Sequence, residues 1–239
     1  MAVPISRVFL GIGAIVAAST VLLGVRHAAD PGDRDNRPTR RSPAVEVAAR
    51  RFLTLGLLPA WVVPGFADYL CHRRAKIERT SGTHESLTHQ LMLATTGIGV
   101  LTGLFCEINA GALAIMAASA FAHEGIVLWD VGYAARLRPP SATEQHVHSF
   151  LEVLPFAGLA VTCCLYPDQL AALLGRRSHR ARWRLERKRD VALAYDLAVI
   201  ASIATFVVAP NIEEFVRCYR VDPTLLPHAR PIDGEERAA

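Results

Sequence analysis

Two carboxylate–histidine pairs frame a short polar stretch, DYLCHRRAKIERTSGTHESLTH, from Asp68 to His89. Asp68 and His72 are four residues apart, and so are Glu85 and His89. On a helix, the members of each pair lie one turn apart and within about 40° of each other around the axis. A third pair, Glu144 with His148, recurs far along the chain, and Glu152 follows four residues later. Imidazole and carboxylate donors repeated at helical spacing form a ligand set for hard-to-borderline metal ions. Ionisable side chains in apolar segments are costly and usually functional.

The segments that must position these groups are unusually apolar. The chain has 239 residues, of which 51% are hydrophobic and 7% aromatic, with a mean hydropathy of +0.25. This composition reads as an integral membrane protein. The net charge of +4 comes from Lys and Arg grouped in blocks between apolar runs, as in the loops flanking bilayer helices. No nucleic-acid motif is present. The five cysteines, Cys71, Cys106, Cys163, Cys164 and Cys218, contain no CxxC spacing and read as membrane-buried thiols.

In chain order, residues 1–25 form an N-terminal membrane anchor with an apolar run from Val8 to Val25, and 26–51 form a charged linker or surface loop without apolar periodicity. A signal peptide is the competing reading of the first segment, but His27 or Arg26 would occupy the position where cleavage needs a small residue. Residues 52–166 hold four helices: one to Cys71, kinked by Pro59 and Pro64; one to Phe105, with Thr83 as a candidate cap; one from Ala112 to Ala135; and one from Thr143 to Tyr166. A basic interfacial loop or helix occupies 167–190, with Trp183 at headgroup depth, and 191–239 supply a last helix ending at Pro210 and a polar tail. The expected fold is all-α, a polytopic membrane protein of about six transmembrane helices around a four-helix bundle.

Successive spans alternate in direction, so the turn after the second segment, the end of the fourth and the start of the fifth share one side. Asp68, His72, Glu85, His89, Asp130, Glu144, His148 and Glu152 can then converge. His123, two turns before Asp130, is a candidate floor about 10 Å deeper. Glu107, 18 residues beyond His89, falls at the opposite surface and is excluded. The connectors on the far side carry 15 Lys and Arg against 11 on the site's side, which turns the far side to the cytoplasm and places the site in the periplasmic or outer half of the membrane.

The expected metal ligands are His72, Glu85, His89, His123, Asp130, His148 and Glu152. Asp68, Glu144 and His146 are candidate ligands or orienting groups, although His146 is out of phase with His148 on a helix. Any one carboxylate–histidine pair arises by chance on helix surfaces, and His123 alone could be a packing histidine. His84 and Glu124 each lie one residue off the inward face and read as orienting or surface groups. Arg73, Arg74 and Lys76 are candidates for holding an anion or lipid headgroup, with simple contact to phospholipid as the plainer reading. Glu78 is a candidate partner for one of the neighbouring arginines.

The runs DYLCHRRAKIERTSGTHESLTH, HEGIVLWDVGYAARLR and EQHVHSFLEVLP resemble a group of small multi-pass bacterial inner-membrane proteins with no established activity. The resemblance spans about residues 50–165. Some of its members carry a diguanylate cyclase label, but this chain has no GGDEF run and no α/β domain to hold GTP. The chemistry resembles that of membrane di-iron enzymes, although neither Glu-x-x-His nor histidine-dense HxxHH motifs are present. The expectation is a metalloprotein with two iron ions, or zinc or manganese. It would oxidise a hydrophobic small molecule entering from the membrane lipids, with an electron-donor protein as partner. A zinc hydrolase is the alternative, as is a haem electron-transfer or assembly protein, although haem needs little carboxylate.

Overall fold

The computed structural model describes residues 43–176, 182–188 and 193–225. Its helices are α1 (Pro43–Arg51), α2 (Leu58–Ala75), α3 (Gly82–Phe105), α4 (Ala110–Leu137), α5 (Ala142–Leu165), α6 (Pro167–Leu173), α7 (Leu193–Ile203) and α8 (Ala209–Val221). No strand occurs among the described residues; a single bridge joins Cys106 and Arg187. The protein is therefore all-α. Among the described residues, four continuous helical stretches are long and apolar enough to cross a membrane: Val45–Ala75, Ala110–Leu137, Ala142–Leu165 and Leu197–Val221. α3, one of the expected spans, is a 24-residue helix that falls outside this set, because His84, Glu85, Ser86, Thr88 and His89 crowd its first two turns. The expected first span lies outside the described residues.

Two of the long helices contain π segments, and each lies just before a proline. Phe52–Leu57 precedes Pro59, and Ala204–Val208 precedes Pro210. Proline lacks the amide for the ladder, and its ring clashes with the carbonyl four residues back. In each, a widened turn, with Leu58 N–H reaching the Leu53 carbonyl and Ala209 N–H that of Ala204, carries the helix on past the proline position. Two expectations are corrected by this. The final helix continues through Pro210 to Val221, and residues 43–51 of the expected linker are helical, with Glu46 paired to Arg50 at 2.8 Å.

The chain divides into two compact units, each assembled from discontinuous segments. The first takes 43–61, 98–120 and the described part of 152–191. Its core consists of Ile108, Leu113, Ala120, Phe156, Leu159, Cys163 and Leu170. The basic segment expected to be an interfacial helix is instead extended over 182–188 and strapped to the α3–α4 connection. Gly111 N–H donates to the Arg182 carbonyl (3.0 Å), Glu107 N–H to that of Glu186 (2.7 Å) and Lys188 N–H to that of Phe105 (2.8 Å). Asn109 Nδ2 donates to the Arg184 carbonyl at 2.9 Å.

The second unit takes 62–97, 121–151 and 193–225 of the described residues. Here α2 ends at Lys76, whose φ of 53° is the left-handed conformation that closes many helices. A 3-10 turn, Ile77–Arg79, leads to Gly82 at φ +66° and so into α3. Thr83 lies inside α3 and does not cap it; its hydroxyl donates to the Asp222 carbonyl. Large apolar side chains face outward in this unit, including Val63, Phe121, Leu128 and Trp129, and a bilayer would cover such a surface.

Candidate metal centre

All the polar groups of the centre belong to the second unit. α2 supplies Asp68 and His72, α3 supplies Glu85, Thr88 and His89, α4 supplies Asp130, and α5 supplies Glu144 and His148. Helical spacing puts each pair on one face, as expected. The sequence reading missed Glu214. On α8 the buried residues are Pro210, Glu214 and Cys218, at i, i+4 and i+8, so Glu214 faces inward while Glu213 stays exposed. The signal was present in the amphipathic run NIEEFVRCY, hidden because Pro210 reads as a terminator.

Glu214 joins the two central histidines. Its Oε2 accepts from His72 Nδ1 at 3.0 Å and its Oε1 from His89 Nδ1 at 2.9 Å. The rings stack with centroids 4.6 Å apart and planes 9° from parallel. A carboxylate accepts, so both Nδ1 atoms carry a proton; each Nε2 presents a lone pair when its ring is neutral and a second N–H when the ring is charged. Those Nε2 atoms are buried without a hydrogen-bond partner. His72 Nε2 faces Asp68 Oδ1 at 3.4 Å and Glu144 Oε1 at 3.4 Å, and His89 Nε2 faces Asp130 Oδ2 at 3.5 Å. His148 Nε2 lies 2.8 Å from Asp68 Oδ1. Thr88 donates to Asp130 Oδ1 and fixes that carboxylate.

Arg138 was also missed. Just past α4 and 6% exposed, it clamps two carboxylates from different helices. Its Nη2 donates to Glu85 Oε1 and Glu144 Oε1, both at 2.5 Å, and its Nη1 to Glu144 Oε2 at 3.0 Å. Burial disfavours the guanidinium charge, but Glu144 and Glu85 outweigh it and raise its pKa, so the clamp stays cationic. Glu144 is held a second way. In the run SATE, its amide donates to Ser141 Oγ (3.2 Å) and Ser141 N–H donates to its carboxylate (3.3 Å), a reciprocal capping box at the start of α5.

Two sets of ligand atoms lie within 4.8 Å of one another: Asp68, His72 and His148, and His72, Glu85 and His89. His72 belongs to both. Asp130 flanks the second set through His89, and Glu144 flanks both through His72. His123 belongs to neither. Its Nδ1 lies 2.9 Å from Thr96 Oγ1 and 3.3 Å from the Met92 carbonyl, at a level of α3 about 4–10 Å beyond His89. Glu152 falls in the first unit. His146 is exposed and packs on Phe150, as its phase predicts.

Around the centre, His84 is buried rather than at the surface. Its Nδ1 donates to the Leu225 carbonyl at 3.0 Å and its ring packs between Trp129 and Tyr133. Glu78 pairs with Arg217 of α8, not with an arginine of its own turn. Arg73, Arg74 and Lys76 are exposed, and Arg73 contacts Tyr69 and Glu213. No family model, curated protein or solved structure matches the chain. The functional reading therefore rests on this geometry.

Proposed function

We propose that this protein is a polytopic enzyme of the bacterial inner membrane whose His72–His89 centre holds two divalent metal ions, iron in the first instance. It would act as an oxidoreductase on a lipid-soluble substrate. The observation that carries the reading is a convergence of potential ligand atoms: Nε2 of His72 and of His89 face carboxylate oxygens at 3.4–3.5 Å without a hydrogen bond. A proton between such atoms draws them to about 2.7–2.9 Å. A metal ion held at about 2.0–2.1 Å by each leaves the ligands about 3.0–3.4 Å apart, octahedral to tetrahedral.

Charge supports the same count. Asp68, Glu85, Asp130, Glu144 and Glu214 are five carboxylates against one guanidinium, Arg138, which leaves four negative charges when the imidazoles are neutral. Such a charge in a membrane helix bundle needs cations, and two divalent ions neutralise it. Oxygen donors outnumber nitrogen donors and no thiolate is among them, which favours iron or manganese. The bound pair would supply redox chemistry. The chain's own part is to fix the ligands through Glu214, Thr88 and Arg138, which limits their reorganisation, and to exclude water from the buried set.

The 3.4 Å separations also fit a second reading, a single zinc acting in hydrolysis, because they match a tetrahedral edge. Haem fits poorly: histidine rings stacked at 4.6 Å on one carboxylate leave no room for a macrocycle between them. The test is metal analysis and an optical spectrum of detergent-purified protein, with His72→Ala beside it. Near two irons per chain, lost in His72→Ala but kept in His146→Ala, whose ring is exposed and packs on Phe150, supports the reading. One zinc moves the assignment to hydrolysis. A Soret band, or no metal after reconstitution, overturns it.

A further inference from the structure

Resting on that metal reading, we infer that the two ions are unequal: an enclosed one held by His72, Glu85 and His89, and an open one on the Asp68–His148 edge that takes the substrate's oxygen atom. The two ligand sets share His72 but differ in access. In the first, His72, Glu85 and His89 are 1%, 0% and 6% exposed. In the second, the side chains of Asp68 and His148 are 15% and 21% exposed, the most open among the centre's carboxylates and imidazoles. The enclosed set is also the more tightly tied, since Glu214 fixes both of its histidines and Arg138 fixes Glu85. Among the described residues, Asp68 has only His148 and His72 within ion-pair distance.

A buried, second-tier-supported set keeps its ion, because every ligand is pre-oriented and no solvent competes for it. A set whose ligands reach the protein surface retains an open coordination position, as catalytic metal sites do. Asp68 Oδ1 lies 2.8 Å from His148 Nε2, so these two would hold the open ion, while His72, with one ring nitrogen left beside its bond to Glu214, would serve the enclosed one. Asp68 belongs to the candidate span Val45–Ala75, so the open edge lies on a membrane-spanning helix. The ligand class is the oxygen of a lipid-soluble alcohol, phenol or carbonyl compound, and a small anion such as azide would occupy the same position.

Cobalt(II) reports coordination through its visible bands whatever the native metal, so it serves as the probe. The detergent-solubilised, metal-stripped full chain is titrated with cobalt(II), and the loaded protein is then treated with azide and with EDTA. Two equivalents should bind; azide should perturb the bands of one only, and EDTA should remove that same one first. His148→Ala should bind one equivalent, retained against EDTA and silent to azide. Loss of both ions at one rate, with azide perturbing both, overturns the inequality while leaving the metal reading intact. Failure of the wild-type chain to bind cobalt overturns the metal reading itself. Both wild-type measurements stand without any variant folding correctly.

Discussion

His72 and His89 lie face to face, 4.6 Å apart and 9° from parallel, with their Nδ1 atoms on the two oxygens of one carboxylate, Glu214. A single side chain from α8 thus sets the tautomer and the tilt of two histidines from α2 and α3. Glu214→Gln keeps the shape but offers one oxygen and an amide that cannot accept, so one ring loses its anchor. Metal affinity should fall about 10–100-fold, read by competition with a chelator, as for other groups that orient a ligand. Glu213→Gln, its exposed neighbour, should leave affinity unchanged. Equal affinities for the wild type and Glu214→Gln would show that the carboxylate does not orient the rings.

Arg138 holds Glu85 and Glu144 together from inside the second unit. Arg138→Met should cost about 3–5 kcal/mol, because it leaves two buried carboxylates facing each other without a cation. Its unfolding temperature should drop, and added divalent ions should restore part of the loss. Arg138→Lys should restore less than its charge suggests, since an ammonium cannot make the guanidinium fork. The raised pKa of Arg138 sets the direction with pH: its stabilisation is full below the ordinary arginine value and would fade only as pH rises beyond it. Between neutral and moderately alkaline pH the arginine's contribution should therefore be flat, and a midpoint that falls over that range through this clamp alone would contradict the assignment.

In the first unit, the strap 182–188 lies so close to Gly111 that a Cβ there would stand 2.6 Å from the Trp183 carbonyl oxygen. Backbone cannot swing away as a side-chain tip can. Gly111→Ala should therefore push the strap off the α3–α4 connection and break the Gly111–Arg182 hydrogen bond. Trypsin, which cuts after the exposed Arg182, Arg184 and Arg187, should cleave Gly111→Ala faster than the wild type while metal content stays the same. Equal cleavage rates would mean that the strap tolerates the methyl group.

Sequence alone determined the all-α, membrane-like character, because apolar runs separated by basic blocks have few other folded solutions. It also placed Asp68 with His72, Glu85 with His89, and Glu144 with His148 on shared helix faces, since a four-residue interval is one turn wherever the helix lies. Only the tertiary structure decided which faces meet. His123 is two turns from Asp130 on α4, but α3 presents Thr96 and Met92 to its ring, and no local spacing reveals what a neighbouring helix offers. The roles of Glu214 and Arg138 escaped local reading for the same reason: each is a charge beyond the expected end of a span, and only packing against other helices made one an anchor for two imidazoles and the other a clamp on two carboxylates.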